Sequence, residues 1–567
     1  MALTRRGFLE ASAATAVGAL WMSTESSSPP GFPADVPIHR EVYRNWAGEI
    51  QVTGAWTCVP RSPADVVTVV NWAHRNGWAV RARGYRHTWA PLTVPNGDPD
   101  ADRTVLVDTT RHLTAMTVLS TTPGTAAVRA QTGVTMEEFL GYCEEHGLGV
   151  TNTPAPGELS LGGVLAINGH GTSVPADGET APPGHGYGSL SNLVLSLTAV
   201  VWDASAGGYV LRTFDRADPD CAAFLTHLGR AFVTEVTLRV GENQNLRCVS
   251  IVDIPATELF APPGSGARRT LASFVGAAGR VEAIWFAFTE NPWLKVWSVA
   301  PTRPLTSRPV VTPYNYPFSD NVPRPVAELA ERLIGGAWAL SPTFGQLQYT
   351  TAVTGLTATL GHDLWGPSKN LMLYVKPTTL REHANGYAVH TNRASLQRVV
   401  SEFAQFYRRQ LAAYQARGEF PVTGQVEIRV AGVDRAADVG VPGARPPALS
   451  AVRPRPDHPE WDTVVWFDVL SFPTAPRLHA FYREMERFFF TNYTGSYAFC
   501  RAEWSKGWGY TDEAAWADPT MLTRTVPDSY RQGPDPSWEW AVGTLDRYDP
   551  HRLFSNSFLD VLLPGAA

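Results

Sequence analysis

The sequence predicts an α+β protein of two domains, the second of them built on an antiparallel sheet. Its 567 residues exceed the length of one ordinary domain, and 44% of them are hydrophobic, which is enough to bury more than one core. Short strands alternate with helices in the first part of the chain, and long apolar strands with amphipathic helices fill the middle. We expect a first domain at 40–245, a second at 246–499, and a return of residues 500–567 to the first.

The first domain begins with clear helix and strand signals. SPADVVTVVNWAHRNGW has Ser62 as N-cap, Pro63 at the first helical position and apolar residues at helical spacing. WAVRARG predicts a strand that runs into a turn. TMEEFLGYCEEHGL predicts a helix capped by Thr135, with Glu138 three residues later. LSNLVLSLTAVVWDASAGGYVLRTF predicts two strands around a Gly-rich hairpin.

The middle of the chain has a different pattern. Three apolar stretches, EAIWFAF, NLMLYVK and TVVWFDVL, predict strands. SLQRVVSEFAQFYRRQLAAYQARG and PRLHAFYREMERFFFTNY predict amphipathic helices. The segment VGVPGARPPALSAVRPRPDHPEW is rich in proline and arginine and predicts an exposed loop.

The N-terminus, MALTRRGFLEASAATAVGALWM, predicts export. Arg5 and Arg6 precede Phe8 and a short run of small apolar residues, which is the pattern of a twin-arginine signal, and we assign the signal and its linker to residues 1–30. The apolar run is too short to span a bilayer. We therefore expect a secreted protein. Because the twin-arginine route carries folded proteins, a cofactor bound before export is also expected.

Composition excludes several classes of function. The formal net charge of −6 lacks the basic excess that nucleic-acid binding requires. The five cysteines are scattered without paired spacing, so we predict no metal site and mostly buried thiols. The 11% share of aromatic residues is compatible with a bulky apolar ligand, although core packing is the ordinary use of such residues.

Two glycine-containing segments predict a binding site for a large group. In RARGYRHTW, glycine allows a tight turn whose N–H groups face an anion; a plain turn with a surface histidine is the alternative. GELSLGGVLAINGHGTS places five glycines in an otherwise apolar stretch, which predicts backbone in close contact with something flat or large. Neither a G-x-G-x-x-G opening a helix early in the chain nor a P-loop lysine is present.

Together with LTHLGRAFVTEVTL, these segments resemble the flavin domain of the vanillyl-alcohol-oxidase (PCMH-type) family. The resemblance implies a two-domain FAD-binding fold over the mature chain. In family members with a histidine at the place of His87, that histidine is bonded to the flavin 8α-methyl group, so His87 is the expected covalent tether. The residues expected to contact FAD are Arg83, Gly84, Tyr85, Arg86, His87, Thr88, Gly157, Gly162, Gly163, Asn168, Gly169, His170, Gly171 and Val233.

Charged residues within apolar strands are the candidate catalytic groups. In TGQVEIRVAG, the strand period places Gln425, Glu427 and Arg429 on one face. The ordinary interpretation is a solvated face with an ion pair. In a flavoenzyme, a carboxylate beside a guanidinium supplies a base with a tuned pKa and a cation for developing oxyanion charge. Asp468 in TVVWFDVL and Glu282 in GRVEAIWFAF lie in similarly apolar surroundings.

Within the wider family, the second half of the chain resembles the cholesterol oxidases with covalently bound FAD, through FTENPWLKVWSVAPTRP, QVEIRVAG, VWFDVLSFP and WSKGWGY. This resemblance implies oxidation of a sterol 3β-hydroxyl group to a 3-keto-4-ene product, with hydrogen peroxide formed from dioxygen. We expect Glu427 to take protons, Arg429 to stabilise negative charge on oxygen and Glu282 to pair with one of them. Lys506 and Asp468 are expected at the reacting oxygen. Cholesterol oxidases are expected to have an amide at the position of Asp468. The carboxyl group found here leaves open how the substrate hydroxyl is bound and which substrate is used.

Several alternatives remain open at this point. An alditol or aldonolactone oxidase has the same fold and a similar C-terminal DRYDPHRLFSNSFLDVLL, and aromatic residues also stack on sugars. A flavin dehydrogenase would pass electrons to another acceptor, and a flavin- or sterol-binding protein would have an inactive site. Beyond a sterol and dioxygen we expect transient contact with a membrane surface, no metal and no nucleic acid, and we favour a monomer.

Overall fold

The computed structural model of the chain describes residues 28–320, 322–377, 379–532 and 537–565. The predicted twin-arginine signal, including Arg5 and Arg6, lies outside these residues. Among the residues described, no helix has the length and apolar character that a membrane crossing requires.

The first part of the chain forms two main sheets. A four-stranded sheet has the order β1-β2-β4-β3, in which β4 is parallel to both β2 and β3. A five-stranded antiparallel sheet has the order β5-β6-β10-β8-β9. Strands β7 and β11 form a separate pair. The strands are β1 (Ile38–Arg44), β2 (Gln51–Cys58), β3 (Ala79–Arg83), β4 (Thr104–Asp108), β5 (Met116–Ser120), β6 (Ala127–Gln131), β7 (Leu148–Gly149), β8 (Val194–Asp203), β9 (Gly208–Asp215), β10 (Phe232–Arg239) and β11 (Gly241–Glu242).

The second part is built on a nine-stranded sheet of order β15-β16-β12-β14-β13-β18-β19-β17-β20, antiparallel except where β15 pairs with β16. Both predicted domain boundaries, 245/246 and 499/500, fall inside strands of this sheet. Its strands are β12 (Asn245–Ile251), β13 (Arg280–Phe286), β14 (Trp293–Val299), β15 (Arg308–Pro309), β16 (Asp363–Pro367), β17 (His383–Thr391), β18 (Gln425–Gly432), β19 (Thr463–Ser471) and β20 (Phe499–Ala502).

Helices cover the sheets. Those of the first part are α1 (Pro63–Asn76), α2 (Met136–Glu145), α3 (Leu161–Ala166) and α4 (Cys221–Leu225). Those that follow are α5 (Ala256–Leu259), α6 (Leu271–Ala278), α7 (Pro317–Asp320), α8 (Arg324–Ile334), α9 (Ser341–Ala358), α10 (Ser368–Met372), α11 (Arg393–Ala416), α12 (Leu478–Asn492), α13 (Val526–Asp528), α14 (Trp538–Tyr548) and α15 (Ser557–Leu562). Helix α11 contributes buried aromatic residues to the main core of the second part.

The predicted helix caps are confirmed. The Ser62 side chain accepts a hydrogen bond from the Asp65 backbone N–H at 3.2 Å, and Pro63 begins α1. At α2, Thr135 Oγ1 accepts from the Glu138 N–H at 3.0 Å, while Glu138 Oε2 accepts from the Thr135 N–H at 2.9 Å. Both donors would otherwise lack an intrahelical partner, so the reciprocal pair fixes where the helix begins.

The strand predicted for NLMLYVK is wrong. Its first residues end helix α10, which Ser368 begins directly after Pro367. A short apolar run does not distinguish a buried strand from a buried helix, and the preceding proline decides between them here. The sequence analysis also gave no helix for α8 and α9, which pack together beside the nine-stranded sheet.

The proline- and arginine-rich segment is a loop, but the prediction that it is exposed is wrong for its centre. Leu449 and Val452 are fully buried. The backbone N–H of Ala448 donates to the carbonyl of Ala222, and that of Ala451 donates to Asn168 Oδ1. Because residues of the first part satisfy these groups, the loop is buried without the usual cost of an unpaired backbone.

The C-terminal residues return to the first part of the chain. The Val80 N–H donates to the Leu553 carbonyl at 2.9 Å. Arg230, whose side chain is 1% exposed, pairs at 2.8 Å with both Asp546 and Asp549 of the C-terminal segment. A buried guanidinium between two carboxylates holds this segment against strand β10.

We predict that Arg230→Met lowers the free energy of unfolding by about 3–5 kcal/mol, because it leaves the buried carboxylate of Asp549 without its cation, whereas Asp546 keeps its pair with Arg552. Urea unfolding followed by tryptophan fluorescence measures this. The matched control is Arg324→Met, which removes a solvent-exposed pair with Glu328 and costs less than about 1 kcal/mol. Equal losses in the two variants would contradict the assignment of Arg230.

Candidate active site

A cavity of about 340 Å³ lies where the two parts of the chain meet. Its wall combines the loop after β3, the second glycine-rich segment around α3, and the polar face of β18. It includes most of the predicted cofactor-contacting residues, namely Arg83, Gly84, Tyr85, Arg86, His87, Thr88, Gly162, Gly163, Asn168, Gly169, His170, Gly171 and Val233. Glu427, Arg429 and Lys506 lie on the same wall.

The loop after β3 presents backbone donors to this cavity. Arg86 adopts a left-handed conformation with φ of 61°, and its carbonyl accepts a hydrogen bond from the Trp46 N–H at 2.7 Å. Within the described ranges, the N–H groups of residues 84–88 have no intramolecular acceptor. Free N–H groups in a turn of this kind form a nest that binds an anion such as a phosphate.

The arginine side chains around this loop are already paired. The guanidinium of Arg83 contacts Asp108 Oδ2 at 2.7 Å and Glu41 Oε2 at 3.0 Å, and Arg86 Nη1 lies 3.9 Å from the same Glu41 oxygen. Arg81 is buried and donates to backbone carbonyls, among them that of Gly229. The charges of Arg83 and Arg86 are therefore shared with carboxylates, and the donors of Arg81 are used in structural hydrogen bonds.

The two glycine-rich segments touch each other. A Cβ at Gly84 would lie 2.1 Å from Ser160 Oγ, and a Cβ at Gly162 would lie 2.7 Å from the Thr132 Cβ. Both distances are too short for any side chain. The glycines thus permit a close approach between segments of the protein itself, whereas the predicted contact was with a bound group.

Three predicted cofactor contacts have additional or different roles. Gly157 is absent from the cavity wall; its carbonyl accepts the Glu137 N–H at 3.1 Å, and a side chain there would collide with Glu137. Asn168 directs its side chain into the protein, where Oδ1 accepts from Ala451. His170 stacks on Trp466 at 3.6 Å, and burial lowers its pKa to about 4, so that its imidazole is neutral at pH 7.

His87 faces the cavity between two tryptophans. Its ring stacks on Trp46 at a centroid distance of 4.3 Å and meets Trp89 edge-on at 5.6 Å. Burial, followed by the charges of Lys506 and Arg381, lowers the pKa of His87 to about 3. The imidazole is therefore neutral and fixed in orientation, and a neutral ring nitrogen is nucleophilic.

Arg429 is the centre of a buried charge cluster. Its Nε contacts Glu282 Oε1 at 2.8 Å, its Nη1 contacts Asp468 Oδ2 at 2.7 Å, and its Nη2 contacts Glu427 Oε2. These carboxylates raise the pKa of Arg429 well above its usual value, although burial opposes them. Lys506 Nζ lies 3.8 Å from Asp468 Oδ2, so the structure brings together all five predicted catalytic residues.

The strand register explains this cluster. Arg429 is directly opposite Glu282 on β13, and Glu427 is directly opposite Asp468 on β19. Cross-strand partners share one face of the sheet, which is why residues distant in sequence meet here.

The carboxyl groups differ in protonation. Burial would raise the pKa of Glu427, but the charges of Arg429 and Lys506 outweigh it and lower the pKa below its usual value. Burial and the neighbouring Glu503 raise the pKa of Asp468 to about 8, despite Lys506 and Arg429. At neutral pH, Glu427 is therefore a proton acceptor on the cavity wall, whereas Asp468 favours its protonated form.

Glu282 is set back from the cavity wall. Its Oε2 accepts from the Tyr374 hydroxyl at 2.6 Å and lies 3.7 Å from Lys295 Nζ. Lys295 is fully buried, with Nζ 3.0 Å from the centroid of the Tyr374 ring. Glu282 thus pairs with Arg429 on the side away from the cavity and does not line the cavity itself.

Two residues of the site were not predicted from the sequence. Glu503 lies on the cavity wall and accepts from Ser505 Oγ at 3.2 Å, and Lys295 neutralises Glu282. Lys295 is a charged residue in the apolar strand LKVW, the same signal that identified Glu282 and Asp468. Glu503 is three residues from Lys506, but nothing in its spacing marks it as buried.

Comparisons with known proteins agree with this geometry. The family described as FAD binding domain matches residues 55–204, and the family described as cholesterol oxidase, substrate-binding matches residues 245–564. A solvent-stable cholesterol oxidase is 54% identical, with a TM-score of 0.93 over 95% of this chain and 100% of that one. A cholesterol oxidase from B. sterolicum is 44% identical, with a TM-score of 0.93 and the same coverage. A histidine-to-alanine mutant of the Brevibacterium sterolicum enzyme has a TM-score of 0.92 at 44% identity. No curated protein matches the chain.

The residues present fit FAD. The free N–H groups of residues 84–88 suit a pyrophosphate, and Gly84 and Gly162, where the backbone approaches closely, lie on the wall of the same cavity. His87 and the charge cluster lie on the wall of the same cavity. Among the residues described, no cluster of His, Cys, Asp and Glu could hold a metal ion.

We predict that Gly84→Ala lowers the FAD content of the purified protein, because the new methyl group collides with Ser160 and displaces the loop. Overpacking of this kind costs about 1–3 kcal/mol. The ratio of flavin to protein absorbance measures the effect. Gly141→Ala is the matched control, since a Cβ at Gly141 meets nothing within 4 Å. Full FAD content in Gly84→Ala would show that the loop does not need this close contact.

Proposed function

We propose that this chain, which belongs to the cholesterol oxidase family, oxidises the 3β-hydroxyl group of a sterol with FAD and dioxygen and forms hydrogen peroxide. We further propose that the 3-keto product isomerises to the 4-ene. The observation that carries the proposal is the position of Glu427, Arg429 and Lys506 on the wall of the cavity that also contains the glycine-rich loops.

Glu427 is the proposed proton acceptor. When bound, FAD would supply a hydride acceptor for the carbinol carbon, with dioxygen as the final electron acceptor. The removal of the hydroxyl proton requires a base within reach, and Glu427 is ionised and faces the cavity. In the isomerisation the same carboxylate can take a proton from one carbon and return it to another, because it is held by Arg429 and by Gln425 Nε2 at 3.3 Å.

Lys506 and Arg429 supply positive charge that stabilises negative charge on the substrate oxygen. Lys506 Nζ lies 4.2 Å from the centroid of the Trp89 ring, and its side chain is 13% exposed on the cavity wall. Arg429 uses one nitrogen for each of three carboxylates, so its charge also fixes Glu427. Fixed cations in a site that excludes water stabilise a developing oxyanion strongly.

A second cavity with apolar side chains supports a sterol over a polyol. It has a volume of about 130 Å³ and shares Tyr374, Gln425 and Glu427 with the main cavity. The rest of its wall combines the apolar residues Ile284, Phe286, Phe318, Val322, Val326 and Ala352 with polar ones that include Lys295, Gln348 and Thr351. A fused hydrocarbon ring system would bury apolar surface against these side chains.

We propose that FAD is covalently bound to His87. A neutral imidazole, held between Trp46 and Trp89 on the cavity wall, supports this role because bond formation needs an unprotonated ring nitrogen.

We also propose that the protein is exported by the twin-arginine route, acts as a monomer and contacts lipid surfaces transiently to obtain its substrate. The basis for export is the Arg5-Arg6 pattern in the sequence. The N-terminal sequence of protein recovered from the culture medium would test it.

We predict that His87→Ala releases the flavin on acid precipitation, because no bond then links it to the chain. The absorbance of the supernatant against that of the pellet measures this. His112→Ala, at an exposed position, should keep the colour in the pellet as the unchanged protein does. Yellow pellets from both variants would exclude His87 as the tether.

We predict that Glu427→Gln lowers kcat for cholesterol by about 10²–10⁴-fold with flavin still bound, because the amide cannot accept the proton. Peroxide release by the holoenzyme, with xylitol assayed in parallel, is the measurement. Glu145→Gln, an exposed change of the same kind, is the control and should leave the rate unaltered. A Glu427→Gln rate equal to that of the control would remove Glu427 from the mechanism.

A further inference from the structure

Two buried carboxyl oxygens face the same space without a hydrogen-bond donor. Among the described residues, Asp468 Oδ1 and Glu503 Oε2 have no hydrogen-bond partner. They lie 2.7 Å and 2.6 Å from the position that a Cβ on Gly386 would occupy. Strand β17 thus has a glycine where the two oxygens approach each other, and any side chain at that position would collide with both.

The other oxygen of each group has partners. Asp468 Oδ2 contacts Arg429 and Lys506, and Glu503 Oε1 accepts from Ser505 Oγ and lies 3.6 Å from His170 Nε2. Each carboxyl group therefore has one side paired and one side turned towards the other carboxyl. Two ionised carboxylates in this arrangement would repel each other without a donor between them.

One additional proton would make the net charge of the cluster zero. Four carboxyl groups, those of Glu282, Glu427, Asp468 and Glu503, meet three cations, which are Arg429, Lys506 and Lys295. His170 adds no charge, because burial lowers its pKa to about 4. With every carboxyl ionised, the buried cluster would have one excess negative charge, and burial of an unpaired charge is costly.

We propose that Asp468 and Glu503 share one proton in the resting enzyme and act as a singly protonated carboxyl pair. The proton supplies the donor that both oxygens lack and brings the cluster to neutrality. The raised pKa of Asp468, about 8, which burial and Glu503 cause, agrees with this. Coupled pairs of this kind lose their proton as a unit, so the property belongs to both residues.

The pair acts on the reaction by positioning charge. While the pair keeps its proton, the cluster is neutral, and no excess negative charge opposes Lys506 and Arg429 at the cavity wall. When the pair ionises, Asp468 neutralises the nearby cation, and stabilisation of negative charge on the substrate oxygen weakens. The active form is the protonated one, so turnover is complete below the pKa and falls as the pH rises through it. This consequence rests on the proposed function, whereas the shared proton does not.

Infrared spectroscopy of the holoenzyme tests the proton directly, without substrate. At pH 7 we expect the carbonyl stretching band of a protonated carboxyl, which disappears on alkaline titration and is missing in Asp468→Asn and in Glu503→Gln. Glu486 needs a control, because burial raises its pKa to about 7. In Glu486→Gln, the band of the pair should remain. A band that is absent from the unchanged enzyme, or that persists in both Asp468→Asn and Glu503→Gln, would overturn the proposal.

The pH profile of kcat/KM tests the consequence. For the unchanged enzyme we expect a fall of about tenfold between pH 7 and pH 9, as for one ionisation near pH 8. The fall should be absent in Asp468→Asn. Lys295 titrates in the same range, because burial lowers its pKa to about 8, so Lys295→Met is the matched control in which the fall must persist. If kcat/KM no longer fell at alkaline pH in Lys295→Met but still fell in Asp468→Asn, the assignment of this ionisation to the carboxyl pair would be contradicted. An enzyme inactive on sterols would refute the proposed function and leave the infrared result to decide the proton.

Discussion

The architecture of the site depends on the burial of one guanidinium. Arg429 lies on β18 with a carboxylate from each neighbouring strand, Glu282 on β13 and Asp468 on β19, and with Glu427 two residues away on its own strand. A cation removed from water is tolerated only where anions with good geometry surround it. Because a shift of one residue would turn these side chains to the opposite face of the sheet, the charge cluster and the register of the three central strands require each other.

The same strand joins the two parts of the chain. Thr172, from the glycine-rich segment, donates to the Val430 carbonyl at 3.0 Å and accepts from the Val430 N–H at 3.2 Å. The main-chain bridge between Ser173 and Ala431 continues this contact. The catalytic face of β18 is therefore held at a fixed distance from the FAD-binding loops. Chemistry between a bound substrate and the cofactor needs such fixed placement, in which neither partner has to reorganise.

Features that neighbouring residues in the sequence determine were predictable, and features that depend on residues distant in sequence were not. The cap of α2 at Thr135 and the two-residue alternation of β18 follow from neighbouring residues, and both appear in the structure. By contrast, the pairing of Arg83 with Asp108 depends on strand order, which the local sequence does not contain. The position of Glu503 beside Asp468 depends in the same way on β17 and β20 meeting.

The central claim is that the cavity between these two parts oxidises a sterol. Anaerobic mixing of the holoenzyme with cholesterol, and separately with xylitol, tests it through the visible absorbance of the flavin. The account predicts bleaching by cholesterol alone, followed by return of the colour and release of hydrogen peroxide when air is admitted. Bleaching by xylitol with no change on addition of cholesterol would preserve the FAD-binding fold and contradict the assignment of the apolar cavity to a sterol.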